Sequence, residues 1–179
     1  MKVRARADGS ADFLQLSLQR PAKAAEAVAL GWPAMPERFR HRLRVRFNEC
    51  DPQGVVFYAN YLMYVDVAMT EFWREAFGGY KTMVESGTDV MVAEATLRYR
   101  DSARFDDDLD LSLWVRTLGS SSVVTPFRLE RVADAALLVE GELRHVFVEA
   151  TSYEKRSIPA RVREGLERHL VEEPEQVTG

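Results

Sequence analysis

The sequence predicts an α+β fold in which an antiparallel sheet of about five strands packs against one long helix. Hydrophobic residues first alternate with arginines, then recur every three to four residues from Tyr61 to Ala76, and later alternate again. Alternation is typical of a half-buried strand, and the longer period is typical of an amphipathic helix. The order of one strand, one helix and about four strands joined by short turns favours antiparallel pairing, with the helix on one face.

Length and composition indicate one ordinary globular domain. The 179 residues include 46% hydrophobic residues and carry a formal net charge of -4, and this net charge gives no global drive toward nucleic acid or an anionic membrane. No apolar run approaches the roughly 18 residues that span a bilayer. Cys50 is the one cysteine, which excludes a disulfide within the chain, and we expect a cytoplasmic protein.

The predicted domain occupies the middle and end of the chain. Residues 1–37 form an N-terminal extension to which the pattern assigns no definite element, and it ends near the prolines Pro33 and Pro36. The domain itself is predicted over residues 38–172. Residues 173–179 are expected to be a tail.

The first strand and the helix have clear limits in the pattern. The strand is predicted from Phe39 to Phe47, with hydrophobic residues on one face and arginines on the other. The helix is expected to begin near Tyr61 and to be ended by Gly78-Gly79, because glycine commonly follows the last helical residue.

The remaining strands follow as a meander. Four are predicted, with a short helix after Pro159: Met91–Arg100, Leu109–Arg116, Val123–Arg131 and Leu137–Phe147. Pro126 lies inside the third of these and cannot donate a ladder hydrogen bond, so we expect an edge or a bulge there.

The stretch between the first strand and the helix carries the candidate chemistry. Asp51 precedes a Pro/Gly turn, and the turn leads directly into the helix. The first N–H groups of a helix have no intrahelical acceptor, and the helix dipole adds partial positive charge there. A carboxylate beside such donors suits acyl transfer, although this short motif taken alone is usually a plain turn.

From Arg46 to Tyr61 the sequence resembles the hot-dog fold acyl-CoA thioesterases of the 4-hydroxybenzoyl-CoA thioesterase-like family. The run Asp51-Pro52-x-Gly54-Val55-Val56-x-Tyr58-x-Asn60-Tyr61 carries most of the resemblance. The segment from Leu118 to Val123 and the pair Ile158-Pro159 also look like the family. The resemblance spans roughly residues 39–170. It implies a hot-dog fold, with the sheet wrapped around the central helix, and hydrolysis of a small or medium acyl-CoA to free acid and CoA without cofactor or metal.

The resemblance also implies a site. Asp51 is the catalytic carboxylate, either as nucleophile on the thioester carbonyl or as general base for a water. The Tyr58 backbone N–H polarises the carbonyl. Predicted substrate-binding residues are Gly54, Val55, Phe57, Asn60 and Tyr61. Gly54 is expected to let backbone and substrate approach closely, and Asn60 to hold the loop or the helix start by side-chain hydrogen bonds.

Partners and alternatives follow from the same resemblance. Family members are homo-oligomers, so we expect a dimer or tetramer in which two sheets join edge to edge and the second subunit completes the pocket. The alternative function is a non-catalytic hot-dog module that binds acyl-CoA, since a fold does not determine a function. Many relatives have histidine at the position of Tyr58, and tyrosine is closer to the members that act on aromatic substrates.

Other polar residues have ordinary interpretations. Glu49 either contacts substrate or faces water, and we favour the second; His145 is expected to be a core or interface histidine. The three histidines do not have the spacing of a zinc site. The arginine run of the first strand has two interpretations: a stripe that binds the phosphates of CoA, or an outer face that is solvated or paired with acids. We favour the second, because charge runs are usually surface.

Overall fold

The computed structural model describes residues 38–171, so the predicted N-terminal extension and the tail lie outside the described residues. Within this range the chain forms six strands and three α-helices. The strands are β1 Phe39–Arg44, β2 Thr88–Tyr99, β3 Asp108–Leu113, β4 Thr117–Leu118, β5 Ser122–Arg131 and β6 Leu137–Glu149. The helices are α1 Asn60–Phe77, α2 Tyr80–Glu85 and α3 Ala160–Glu167.

All the strands belong to one antiparallel sheet. The order across it is β1-β3-β5-β6-β2, and the short β4 pairs with β5. The register places Leu111 of β3 between His41 of β1 and Leu129 of β5. The strands β2, β3, β5 and β6 correspond to the four predicted after the helix, and the predicted α+β arrangement is confirmed. The predicted meander is wrong for β2, which does not pair with β3 but crosses to β6 at the far edge, while β3 pairs with β1.

Helix α1 covers one side of the hydrophobic core. Its buried residues recur at three- and four-residue steps, as an amphipathic helix requires: Tyr61, Tyr64, Val65, Ala68, Met69, Phe72, Ala76 and Phe77. The Phe72 ring packs edge-on against Phe39 of β1 at 5.5 Å between centroids. Gly78 ends the helix with φ of +93°, a conformation that glycine adopts without steric cost. No helix among residues 38–171 is both long and apolar enough to cross a bilayer.

The arginines of β1 lie on the outer face of the sheet and pair with acids. Arg42 donates two hydrogen bonds to the Asp110 carboxylate at 2.8 and 2.9 Å, and Arg44 donates two to Asp108 at 2.9 and 3.0 Å. For these two arginines the structure agrees with the ion-paired interpretation. Exposed pairs of this kind contribute little to stability, because solvent screens the charges.

Pro126 lies in an interior strand, not at an edge of the sheet. In β5 it stands opposite the break between β3, which ends at Leu113, and β4, which begins at Thr117. The Trp114 N–H still donates to Pro126 O at 3.4 Å. The missing N–H of the proline therefore falls where β3 has already left the ladder.

Candidate active site

The predicted catalytic aspartate lies in a short reversal of the chain between β1 and α1, here called the Asp51 loop (residues 50–56). The two ends of the loop pair as an isolated antiparallel bridge. Inside it, the Asp51 N–H donates to Val55 O at 2.8 Å, and the Gly54 N–H donates to Asp51 O at 2.9 Å. The backbone of Asp51 is therefore held at both its N–H and its carbonyl.

The Asp51 carboxylate has one oxygen free for chemistry. Its Oδ1 accepts a hydrogen bond from the Gln53 N–H at 2.8 Å, which is an Asx turn. Within residues 38–171, Oδ2 has neither a hydrogen-bond donor nor a cationic partner. The side chain is half-buried. The turn thus orients the carboxylate, and the second oxygen remains available to attack a carbonyl or to accept a proton.

Gly54 is required by the conformation of this loop. Its φ is +75°, in the left-handed region that side chains disfavour. A Cβ built at this position meets no atom within 4 Å. The reason found in the structure is therefore the turn itself, whereas the close approach of a substrate, expected from the sequence, stays a prediction.

The N–H groups between the loop and α1 divide into two pairs. Those of Val56 and Phe57 already donate to backbone carbonyls, each at 2.9 Å. Those of Tyr58 and Ala59 have no acceptor in the part of the chain that the structure describes. Since α1 begins at Asn60, both free N–H groups lie at its N-terminus, where the helix dipole adds positive potential.

The two free N–H groups are oriented through the carbonyls of their own peptide groups. In a trans peptide the C=O and N–H point in opposite directions. Phe57 O shares its peptide group with the Tyr58 N–H and accepts from the Asn60 N–H at 2.9 Å. Tyr58 O shares its group with the Ala59 N–H and accepts from the Tyr99 hydroxyl at 3.2 Å. Sequence reasoning missed Tyr99, because the contact joins residues 41 positions apart.

The aromatic residues of the predicted site divide between surface and core. Phe57 and Tyr58 are 43% and 63% exposed, and their ring centroids are 4.6 Å apart. Tyr61 is buried on α1, and its hydroxyl accepts a hydrogen bond from the Ala103 N–H at 2.8 Å. Burial raises the pKa of the Tyr61 hydroxyl. Phe57 and Tyr58 thus present apolar surface just after the Asp51 loop in the chain, while substrate binding by Tyr61, Val55 and Phe57 stays a prediction.

Glu49 does not simply face water, so that expectation is wrong. Its Oε2 accepts hydrogen bonds from the Tyr64 hydroxyl and from the Arg46 N–H, both at 2.7 Å. Its backbone carbonyl accepts from Asn60 Nδ2 at 2.8 Å, which is the kind of side-chain bond expected of Asn60. Glu49 therefore connects the strand side of the loop to the first two turns of α1.

The histidines take no part in this arrangement. His145 is buried on β6 against the edge of the Trp73 ring, at 5.2 Å between centroids. Burial lowers the pKa of His145 to about 4, so the side chain is neutral near pH 7. Residues 38–171 hold no group of three or more metal-ligating side chains placed to share an ion.

A cavity of about 340 Å³ lies at the other end of α1. Arg74, Phe77 and Arg161 are among its lining residues, together with the acids Glu75 and Glu164. An 18-residue helix is about 27 Å long, so this cavity is far from the Asp51 loop. Because both basic and acidic side chains line it, the cavity does not favour either an anionic or a cationic ligand.

Comparison with known families agrees with this geometry. The sequence profile of the Thioesterase-like superfamily matches residues 45–166. The chain belongs to this superfamily. The match contains the Asp51 loop, α1 and most of the sheet, and the structural neighbours of this thioesterase confirm the predicted hot-dog fold. The expectation of a thioester hydrolase is likewise confirmed at the level of the family.

Three relatives illustrate the similarity. The acyl-CoA thioester hydrolase YbgC of Escherichia coli is 27% identical over 124 residues, which are 69% of this chain and 92% of YbgC. A 1,4-dihydroxy-2-naphthoyl-CoA thioesterase from Synechocystis has a TM-score of 0.68 at 16% identity, covering 73% of this chain and 96% of its own. A Staphylococcus aureus protein solved in complex with CoA has a TM-score of 0.72 at 14% identity, covering 82% and 96%. The two structures show the shared fold.

Proposed function

We propose that this thioesterase hydrolyses small or medium acyl-CoA thioesters to the free acid and CoA, with Asp51 as the catalytic carboxylate. The observation that supports this most directly is the free Oδ2 of Asp51 in the loop that leads to two unsatisfied N–H groups, those of Tyr58 and Ala59. The similarity to YbgC supports CoA as the carrier of the acyl group.

The roles of these groups follow from thioester chemistry. The carbonyl oxygen of the substrate accepts a hydrogen bond from the Tyr58 N–H, and the Ala59 N–H is a second donor. As the carbonyl carbon becomes tetrahedral, negative charge develops on this oxygen, and loss of one such donor typically costs about 100-fold or more in rate. The CoA thiolate then leaves, and its low basicity means that it needs little help from an acid.

Two routes to the free acid remain for Asp51. In the first, Oδ2 attacks the thioester carbon, the carbon–sulfur bond breaks, and water hydrolyses the mixed anhydride. In the second, Oδ2 accepts a proton from a water whose oxygen forms the new bond to carbon. A single turnover in water enriched in heavy oxygen tests for the first route. Label in the Asp51 carboxylate together with an unlabelled product acid indicates an anhydride that water opens at the Asp51 carbonyl. Label confined to the product is expected for the water route and also for an anhydride that water opens at its acyl carbon.

We further propose that the protein acts as a homo-oligomer built through β2, and that it is cytoplasmic. Strand β2 is at one edge of the sheet and has 12 residues, among them Met91 and Val92, which are 50% and 58% exposed. A long apolar edge strand is a template for pairing with another chain. Exposed Leu62, Met63 and Val67 give α1 additional apolar surface for the same partner.

The change Asp51→Asn tests the catalytic proposal. Free thiol release is measured with CoA thioesters of short, medium and aromatic acyl groups. We expect kcat to fall at least about 100-fold with an unchanged melting temperature, because the amide can neither attack nor accept the proton. Asp66→Asn, the same chemical change at an exposed position of α1, is the matched control and should leave kcat unchanged. Full activity in Asp51→Asn would reject Asp51 as the catalytic group.

A further inference from the structure

Glu49 is the central residue of a hydrogen-bond network inside the predicted active-site loop. Its Oε2 accepts from the Tyr64 hydroxyl and from the Arg46 N–H, both at 2.7 Å. Its backbone carbonyl accepts from the Phe57 N–H at 2.9 Å and from Asn60 Nδ2 at 2.8 Å. One residue therefore joins Arg46, which lies just after β1, to the exit of the Asp51 loop and to two positions of α1.

The Tyr64 end of this network is anchored in the core. Tyr64 is 5% exposed, and its ring packs edge-on against Tyr61 at 6.0 Å between centroids. Burial and the hydrogen bond to Glu49 both raise the pKa of the Tyr64 hydroxyl, so this hydroxyl remains a donor over the working pH range. Hydrogen bonds to a carboxylate are shorter and stronger than those between neutral groups. The loop is thus attached to a rigid element by a strong contact.

The network also lies directly between the two halves of the proposed site. Asp51 follows Glu49 by two residues, and Phe57, which donates to Glu49 O, immediately precedes Tyr58. A movement of Glu49 therefore changes the separation between the Asp51 carboxylate and the Tyr58 N–H. Displacement of a reacting group by about 1 Å can cost about 100-fold in rate.

We propose that Glu49 and Tyr64 are positioning residues that set the distance between the Asp51 carboxylate and the Tyr58 N–H. This inference rests on the proposed function, because it assigns a role to contacts that support Asp51. The two hydrogen bonds to the Glu49 carboxylate both go to Oε2. In this role neither Glu49 nor Tyr64 needs to contact the substrate. Their effect is therefore expected in kcat, with little change in KM.

Four variants test the proposal: Tyr64→Phe, Glu49→Gln, Glu49→Ala and the double variant Tyr64→Phe/Glu49→Ala. Tyr64→Phe should lower kcat about 10-fold, and Glu49→Ala about 100-fold, with KM within about twofold. Glu49→Gln should restore most of the activity, since its amide oxygen still accepts from Tyr64. The double variant should be no worse than Glu49→Ala, because both changes remove the same contact.

The chain offers a matched control in Tyr80. Its hydroxyl donates to Asp89 Oδ1 at 2.8 Å, a tyrosine–carboxylate bond beyond the opposite end of α1. Tyr80→Phe should lower the free energy of unfolding only by the small contribution of one exposed hydrogen bond. It should leave kcat unchanged. If Tyr64→Phe and Glu49→Ala lower only the melting temperature and keep the wild-type kcat, the positioning role is rejected.

The same series separates failure of this inference from failure of the proposed function. Loss of activity in Asp51→Asn with wild-type kcat in both network variants would reject the positioning role alone. Wild-type activity in Asp51→Asn would reject the catalytic assignment itself. If Glu49→Gln is as inactive as Asp51→Asn and removes the acidic limb of the pH–rate profile, Glu49 is the reacting carboxylate, which also overturns its role as a positioning residue.

Discussion

Replacement of Gly54 distinguishes two explanations for a residue in the predicted motif. The structure holds Gly54 at φ of +75°, and a Cβ there would meet no atom within 4 Å. A substitution is therefore expected to act through backbone conformation alone, with no steric clash inside the subunit. The alternative from the sequence is that a substrate lies against this residue and leaves no room for a side chain.

The size of the effect can be worked out from the backbone angle. An alanine in the left-handed region costs about 1–2 kcal/mol. Alanine also lowers the conformational entropy of the unfolded chain relative to glycine, which stabilises the folded state by about 0.4–1 kcal/mol and offsets part of this cost. We therefore expect Gly54→Ala to lower the free energy of unfolding by about 1 kcal/mol, or the Tm by about 2–4 °C. Gly54→Asn should cost less, because asparagine enters this region more readily.

Urea unfolding and thioester hydrolysis, measured on the same two variants, decide between the explanations. If conformation is the reason, Gly54→Asn is closer to wild type than Gly54→Ala in both stability and kcat/KM. If substrate approach is the reason, both variants raise KM, and the larger asparagine raises it more. That second result would refute the conformational reasoning.

Three further predictions concern other parts of the molecule. Tyr99→Phe removes the hydroxyl bonded to Tyr58 O and should lower kcat about 10-fold with little effect on KM, in contrast to a purely structural tyrosine, which would change only the Tm. Burial holds the pKa of His145 at about 4, below the usual value near 6.5. Between these two pH values the unfolded chain binds a proton that the folded chain does not. The free energy of unfolding therefore falls as the pH drops, by at most about 1.4 kcal/mol per pH unit. His145→Gln should reduce the loss of stability between pH 7 and pH 5 in urea unfolding, and the part that remains is expected from His169, whose pKa burial also lowers. An unchanged pH dependence would contradict the assignment. Val92→Lys places a charge on exposed β2 and should dissociate the proposed oligomer in light scattering, while an unaltered mass would exclude this edge as the interface.

Much of the fold could be predicted because it depends on local periodicity. Helix α1 was expected to begin near Tyr61 and to be ended by Gly78-Gly79, and it is observed from Asn60 to Phe77, since its buried face recurs along the sequence itself. Pro126 was only partly predictable: its missing donor demanded a gap in the ladder, but the gap lies in the sheet interior where β3 ends.

The candidate site was likewise predictable only where its residues are contiguous in the sequence. Sequence indicated Asp51 and the backbone near Tyr58, because a motif and a helix start are contiguous in the chain. It did not indicate Glu49 or Tyr99 as supports. Their partners are 15 and 41 residues away, and such contacts exist only after α1 and β2 have packed against the loop.

The sequence by itself therefore determined the class of fold, the family and the position of the carboxylate proposed to react, since these depend on side-chain period and on one continuous motif. Only the tertiary structure decided which N–H groups are free. Among the described residues, the N–H groups of Val56 and Phe57 find acceptors in Ala103 and Glu49, and those of Tyr58 and Ala59 find none. The physical reason is that a backbone N–H is the same in every residue, so its availability depends on which carbonyls the fold brings to it.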